Sequence, residues 1–198
     1  VRIGTQVIHA GQRPEPVTGA VMPPISLSST YAQESPGVHK GFEYSRSHNP
    51  TRYAFERMVA RLEGSTIAES DDASCGGFAF SSGLASMATC LELIDAGAHI
   101  VAMDDIYGGS NRLLKRVRER TQGLKTSFVD LTSEAALSAA LKPETAMVWV
   151  ETPTNPTLKV ADLKMIAKTV RAKSPKAILV CDNTFATPIN QRPLEHGF

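Results

Sequence analysis

The sequence predicts an α/β fold: a mostly parallel sheet covered by helices on both faces, preceded by an extended N-terminal arm. Three observations predict it. Beyond residue 50, short apolar runs alternate with helical stretches of roughly 10–15 residues, the pattern of βαβ units. The runs are continuously apolar rather than alternating, as expected of strands buried on both faces. Residues 1–50 are instead rich in Pro, Gly and Ser and show no sustained period, the mark of a long ordered loop or arm. Tyr31, Phe42 and Tyr44 in that segment argue against plain disorder. The chain thus divides into an arm, 1–50, and an α/β region, 51–198.

The elements follow in order. "NPTRYAFERMVARLEG" is a helix with Asn49 as N-cap, Pro50 at the first position and Gly64 as terminator. Phe55, Met58, Val59 and Leu62 form its apolar stripe. "GFAFSS" is a short strand. "GLASMATCLELIDAG" is a helix with Leu84, Met87, Leu91 and Ile94 on one side. "HIVAMDD" is a strand, and "SNRLLKRVRERT" a basic helix with Leu113, Leu114 and Val117 inward. "KTSFVD" is a strand, "SEAALSAAL" a helix and "AMVWVE" a strand. "DLKMIAKTVRAK" is a helix capped by Asp162, with Leu163, Ile166, Ala167 and Val170 on one face, and "AILVCD" is the last strand.

Composition excludes several classes. The chain has 198 residues, 42% of them hydrophobic and 21% charged, enough for one sizeable core. A net charge of +1 gives no field for nucleic acid or an acidic membrane. No apolar run approaches the roughly 18 residues of a membrane-spanning helix. The first residues lack the apolar core of a signal peptide, and there is no initiator Met. The cysteines are Cys75, Cys90 and Cys181, an odd number without C-x-x-C spacing. Cys90 and Cys181 sit in apolar contexts and read as small core residues in a reducing cytoplasm. The five histidines have no metal-ligand spacing, so no metal is expected.

Right-handed crossovers place all the strand C-termini along one edge, where open α/β sheets bind ligands. Asp104, Asp130, Glu151 and Asp182 each follow a strand there. Asp104 and Asp130 read as ordinary turn-starting acids. Asp182 stands apart, because Asn183 and Thr184 follow it and no helical period resumes.

Three further stretches reach that edge. "FAFSSGLASM" sets Ser81, Ser82 and Gly83 between a strand and a helix N-terminus, where free N–H groups and the helix dipole favour an anion. "DIYGGSNR" puts Tyr107 just past a strand, where its ring either stacks on a flat ligand or is buried. "VETPTNPTLKV" stiffens a loop with two X-Pro steps and holds Glu151 and Asn155 at the same edge. There is no G-x-G-x-x-G and no Walker lysine. A phosphate cradle, a ring, an amide and a carboxylate together suit a flat phosphorylated heteroaromatic, and pyridoxal 5'-phosphate fits.

"EYSRSHNPTR", "FSSGLAS", "YGGSNR", "VETPTNPTLKVADL" and "CDNTFATP" resemble the motifs of the Cys/Met-metabolism family of pyridoxal-phosphate enzymes. The family includes cystathionine γ-lyases, cystathionine γ-synthases, cystathionine β-lyases and methionine γ-lyases. The resemblance covers nearly the whole chain, in order. It implies an aspartate-aminotransferase-like (fold type I) large domain and a homotetramer built as a dimer of dimers. It implies that Asp182 pairs with the pyridine nitrogen, with Thr184 beside it, and that Tyr107 stacks on the ring. The Ser82, Gly83 and Leu84 segment holds the phosphate, and Asn155 lies near the cofactor's hydroxyl. Tyr44 and Arg46 match a Tyr-x-Arg that reaches from the arm into a neighbouring subunit's phosphate site. Arg112 and Glu151 are expected on the side of a small-molecule amino-acid substrate. Tyr107 is also the candidate catalytic residue, exchanging a proton with the leaving group or the incoming amine.

The sequence departs from the family pattern twice. His48 stands where the family usually has Gly. The family is also roughly twice as long, and its Schiff-base lysine lies in a Ser-x-Thr-Lys-like motif that has no counterpart here. These residues are therefore expected to be the N-terminal half of a longer enzyme. "YGGSNR" leans towards cystathionine γ-lyase, which yields cysteine, 2-oxobutanoate and ammonia. Cystathionine γ-synthase is close behind. Methionine γ-lyases usually carry Cys at the position of Gly109. A non-catalytic α/β binding module is the alternative from another class, if the chain is complete.

Overall fold

A computed structural model describes residues 2–65 and 76–198. Cys75 lies outside the described residues. The chain forms two compact units, Val1–Ala79 and Phe80–Phe198.

The first unit begins with a seven-residue helix, α1 (Ile3–His9), which buries none of its side chains. Gly11 follows at φ +71°, against the helix α2 (Pro50–Leu62). A Cβ there would lie 2.5 Å from the Met58 nitrogen and 2.7 Å from the Ala54 carbonyl oxygen, so only glycine allows this approach. A two-stranded hairpin, β1 (Gln33–Ser35) with β2 (Val38–His39), and a bridge between Thr30 and Tyr44 order the rest of the arm.

Helix α2 starts and stops as its sequence predicts. The Asn49 side chain accepts from the Thr51 and Arg52 N–H groups, at 3.0 and 3.2 Å. At the other end, Gly64 takes φ +86°. Its N–H donates to the Arg61 carbonyl, and the Ser65 N–H to that of Ala60, a Schellman closure. The expected apolar stripe only partly coincides with the buried face, however. Glu56, Ala60 and Leu62 are buried, whereas Phe55 is exposed. The Glu56 carboxylate accepts from the Ala79 N–H at 2.8 Å and pairs with Arg52, which satisfies it under cover.

The second unit holds a four-stranded parallel sheet: β3 (His99–Met103), β4 (Lys125–Val129), β5 (Thr145–Glu151) and β6 (Ile178–Asp182), in the order β4-β3-β5-β6. The central strands are buried along almost their whole length, as their continuous apolar runs predict. The outer strands β4 and β6 are only half-buried, because among the described residues each is paired along one edge alone.

Helix α3 (Gly83–Cys90) continues into a 3₁₀ turn at Leu91–Leu93. Helix α6 (Glu134–Ala140) is capped by Ser133, and α7 (Leu163–Lys173) by Asp162. The four residues expected inward on α7 are all buried. Cys90 and Cys181 pack partly buried against the core, and burial pushes the Cys90 thiol pKa up.

Two further expectations fail, each for a physical reason. "GFAFSS" forms no strand, since no described strand lies against it and a lone strand cannot satisfy its backbone. Val117 is exposed while Leu113 and Leu114 pack inward. Between α4 (Gly108–Arg112) and α5 (Glu119–Gln122) the helix widens into a π turn, Leu113–Arg118. The wider turn rotates later residues off the predicted stripe.

His99 opens the central strand and is buried. Its ring nitrogens meet the Thr145 and Ser127 hydroxyls, at 2.9 and 3.0 Å. Burial, with Lys142 nearby, lowers its pKa below the ordinary 6.5. The folded state therefore binds this proton less readily than the unfolded chain, and stability present above about pH 6.5 is lost as pH falls. His99→Gln is expected to flatten the slope of urea midpoint against pH between about 7 and 5. An unchanged slope would contradict this.

Candidate active site

The chain order sets where the site lies. After β4 the chain crosses to the far side of β3 to form β5, so β3 and β5 flank the switch point of the sheet. Outside their C-terminal ends is a pocket of about 350 Å³.

Its lining contains Ser82, Gly83, Leu84, Tyr107, Asn155 and Asp182. Glu151 and Thr184 also face it. Eight of the eleven expected site residues thus converge at one edge. Tyr44 and Arg46 belong to the first unit and are not among its lining residues. They are exposed, with the Arg46 guanidinium 5.2 Å from the Tyr44 ring centre. Arg112 is exposed beside Gly108 and does not line the pocket.

Ser82 caps α3, its hydroxyl accepting from the Ala85 N–H at 3.1 Å. This leaves the Gly83 and Leu84 N–H groups, the first two of the helix, without a protein acceptor among the described residues. Nothing lies within 4 Å of a Cβ built on Gly83, so the space beside it is open. Such a helix start suits a phosphate.

Tyr107 is half-exposed, and its ring lies over Gly109. A Cβ on Gly109 would come within 2.4 Å of the ring. Asp182, at the end of β6, accepts from the Thr184 N–H at 3.1 Å and from its hydroxyl at 2.5 Å. Asn183 points elsewhere, exchanging hydrogen bonds with Gln191. The polar triplet after β6 therefore divides: Asp182 and Thr184 face the pocket, and Asn183 pins the following turn.

Glu151 is buried, and each of its oxygens is engaged. One accepts from the Tyr107 N–H at 2.8 Å, the other from the Asn155 N–H at 2.9 Å. Burial pushes its carboxyl pKa up, the two amides oppose this, and Asp182 and Asp105 add to it. Asp104 and Asp130 start turns as expected, but they also share Lys159, whose ammonium lies 2.9 Å from the first and 3.1 Å from the second. The sequence reading missed Trp149 and Phe185 in the lining. Trp149 reads locally as one more apolar strand residue, and only the sheet register turns it to the pocket. Among the described residues no cluster could hold a metal ion.

Comparison with known proteins agrees with this geometry. The family model for Cys/Met metabolism PLP-dependent enzymes matches residues 4–198. A cystathionine beta-lyase of Coxiella burnetii is 58% identical over 99% of this chain and 48% of its own length. The cystathionine gamma-lyase of Homo sapiens is 51% identical over 98% of this chain and 45% of its own. Among solved structures, metB from Corynebacterium glutamicum superposes on 100% of the chain and 49% of its own, with a TM-score of 0.89 and 40% identity. A cystathionine gamma-lyase from Lactobacillus plantarum, complexed with L-serine, gives 0.87 and 39%, over 100% of this chain and 48% of its own. These superpositions bear out the fold type I architecture. The chain spans about half the length of the curated relatives it matches.

Proposed function

The chain belongs to the Cys/Met-metabolism pyridoxal-phosphate-dependent enzymes, and from that premise we propose that the protein containing it is a cystathionine γ-lyase. The reaction takes cystathionine and water to cysteine, 2-oxobutanoate and ammonia. The observation that carries the choice is Gly109 beneath the Tyr107 ring, a position where no side chain fits without moving the ring.

The pocket fits pyridoxal 5'-phosphate on its own chemistry: two amides without acceptors at a helix start, an aromatic ring and a carboxylate share one cavity. When bound, the cofactor supplies an electron sink for bonds of the amino-acid substrate. The Gly83 and Leu84 amides hold its phosphate, beside Ser82. Asp182 keeps the ring nitrogen protonated, and Thr184 fixes the carboxylate for that task. Tyr107 would help to hold the cofactor, and its phenol would move a proton at the leaving sulfur or the incoming amine. Asn155, which lines the same pocket, would help to orient it.

The test is product analysis on the full-length protein with cystathionine. Cysteine with 2-oxobutanoate is the expected outcome. Dominant homocysteine with pyruvate would instead establish β-elimination, the reading favoured by the relative at 58% identity. Faster turnover of O-succinylhomoserine with cysteine would make the protein a γ-synthase and overturn the proposal.

We extend the proposal to a cytoplasmic homotetramer in which Tyr44 and Arg46 serve a neighbouring subunit's phosphate site. The partly buried Cys90 thiol, free among the described residues, supports a reducing compartment. No helix of the described residues is long and apolar enough to cross a membrane. The exposed Tyr44–Arg46 pair supports a role outside its own subunit. Subunit mixing tests it. A Tyr44→Ala/Arg46→Ala protein and an Asp182→Ala protein, each weak alone, should recover roughly a quarter of full activity when co-assembled one to one, from one intact site in each hybrid dimer. No recovery in verified hybrids would contradict it.

A further inference from the structure

The loops after β3 and β5 are tied together by two carboxylates that cross. Glu151, on the β5 side, accepts from the Tyr107 N–H of the β3 loop. Asp105, on the β3 side, holds the β5 loop in return. It accepts from the Thr154 hydroxyl at 2.5 Å, from the Thr157 N–H at 3.0 Å and from the Thr157 hydroxyl. Glu151 also grips the Asn155 N–H within its own loop. Thr154 is fully buried, its hydroxyl accepting from the Lys159 N–H at 2.8 Å, so Asp105 pulls on a fixed point.

We propose that Asp105 and Glu151 are a pair of positioning residues that lock the Tyr107 ring and the Asn155 amide into one rigid unit before any ligand enters. The inference rests on Tyr107 and Asn155 being cofactor-site residues. Neither carboxylate needs to touch the ligand. Glu151 holds the backbones of Tyr107 and Asn155, whose side chains line the pocket, and Asp105 braces the loop that carries Asn155 through Thr154 and Thr157. Pre-organisation of this kind spares the ordering cost on binding.

The donor geometry separates this role from general structural support. All three donors to Asp105 converge on a single oxygen, so Asn can replace it with its one carbonyl. Glu151 uses both oxygens, so Gln can keep only one of its two bonds. In the full-length protein, Asp105→Asn should hold pyridoxal phosphate like the wild type. Asp105→Ala and Glu151→Gln should each weaken its retention in equilibrium dialysis by about tenfold, the scale of one lost charge-assisted hydrogen bond. Because both serve one unit, the double variant should be little worse than either single one.

Hydrogen exchange on the cofactor-free protein gives a readout independent of turnover. Asp105→Ala should speed exchange at the Tyr107 and Asn155 amides, which Asp105 does not touch. Glu151→Gln should do the same at the Thr157 amide. If Asp105→Ala does not fold, Thr157→Val removes one bond from an exposed position and should raise Tyr107 exchange more weakly. Additive losses, or exchange confined to the directly bonded amide, would overturn the clasp. A protein that eliminates at Cβ yet shows the crossed exchange would sink the γ-lyase reading and leave the clasp standing.

Discussion

Asp182→Ala in the full-length protein is expected to lower kcat by about 100-fold or more, while the protein still folds. The carboxylate ends β6 and lines the pocket, and its protein partners are the amide and hydroxyl of Thr184. On the proposed reading it favours the protonated form of the cofactor's ring nitrogen, through a charge-assisted hydrogen bond worth up to about 3 kcal/mol. At about 1.4 kcal/mol per tenfold, losing that contact costs two orders of magnitude in rate. The fold loses only a turn contact on a half-buried residue. Steady-state kinetics with circular dichroism on the same samples checks both halves. Near-normal turnover would refute the role of Asp182.

Ile100→Ala is expected to give the largest loss of stability. Ile100 is fully buried in β3, the strand paired on both sides, and belongs to the core shared by the sheet and its helices. Its side chain cannot be replaced by collapse of a strand held by two ladders. The cost should fall in the range of about 2–5 kcal/mol, transfer and cavity together. Urea unfolding of the full-length protein measures it. A cost below about 1 kcal/mol would mean the centre of the sheet is not the close-packed core described here.

The sheet and its helices were legible because their signals are local. The strands from His99 to Asp182 are apolar runs bounded by polar turns, and α7 carries its cap and its buried stripe within one short stretch. What failed to show depends on neighbours. Phe55 looks like core because periodicity identifies an apolar face without saying what covers it. "GFAFSS" has the composition of a strand, but a strand also needs a partner. Val117 left the predicted stripe because a π turn shifts the phase, which no residue in that stretch announces. Helix α1 is short, buries nothing and leaves no periodic trace.

The site divides in the same way. Asp182 stood out as a carboxylate with a hydroxyl two residues on, at the end of a buried strand. The cradle at Ser82 and Gly83 could be read from a turn preceding a helix. The grip of Glu151 on the Tyr107 amide could not, nor could the answering grip of Asp105, because both cross between loops some fifty residues apart in sequence. The departure at His48 also proved to be structural detail. His48 is not among the positive-φ residues, so this backbone admits any side chain, and its N–H closes the turn onto the Tyr44 carbonyl.

The central claim is that this pocket seats pyridoxal phosphate with Asp182 at its ring nitrogen. The most direct test is the nitrogen-15 NMR signal of ring-labelled cofactor bound to the full-length protein. A protonated ring nitrogen in the wild type, lost in Asp182→Ala, is the predicted result. An unprotonated nitrogen in the wild type, or protonation that survives the substitution, would contradict it.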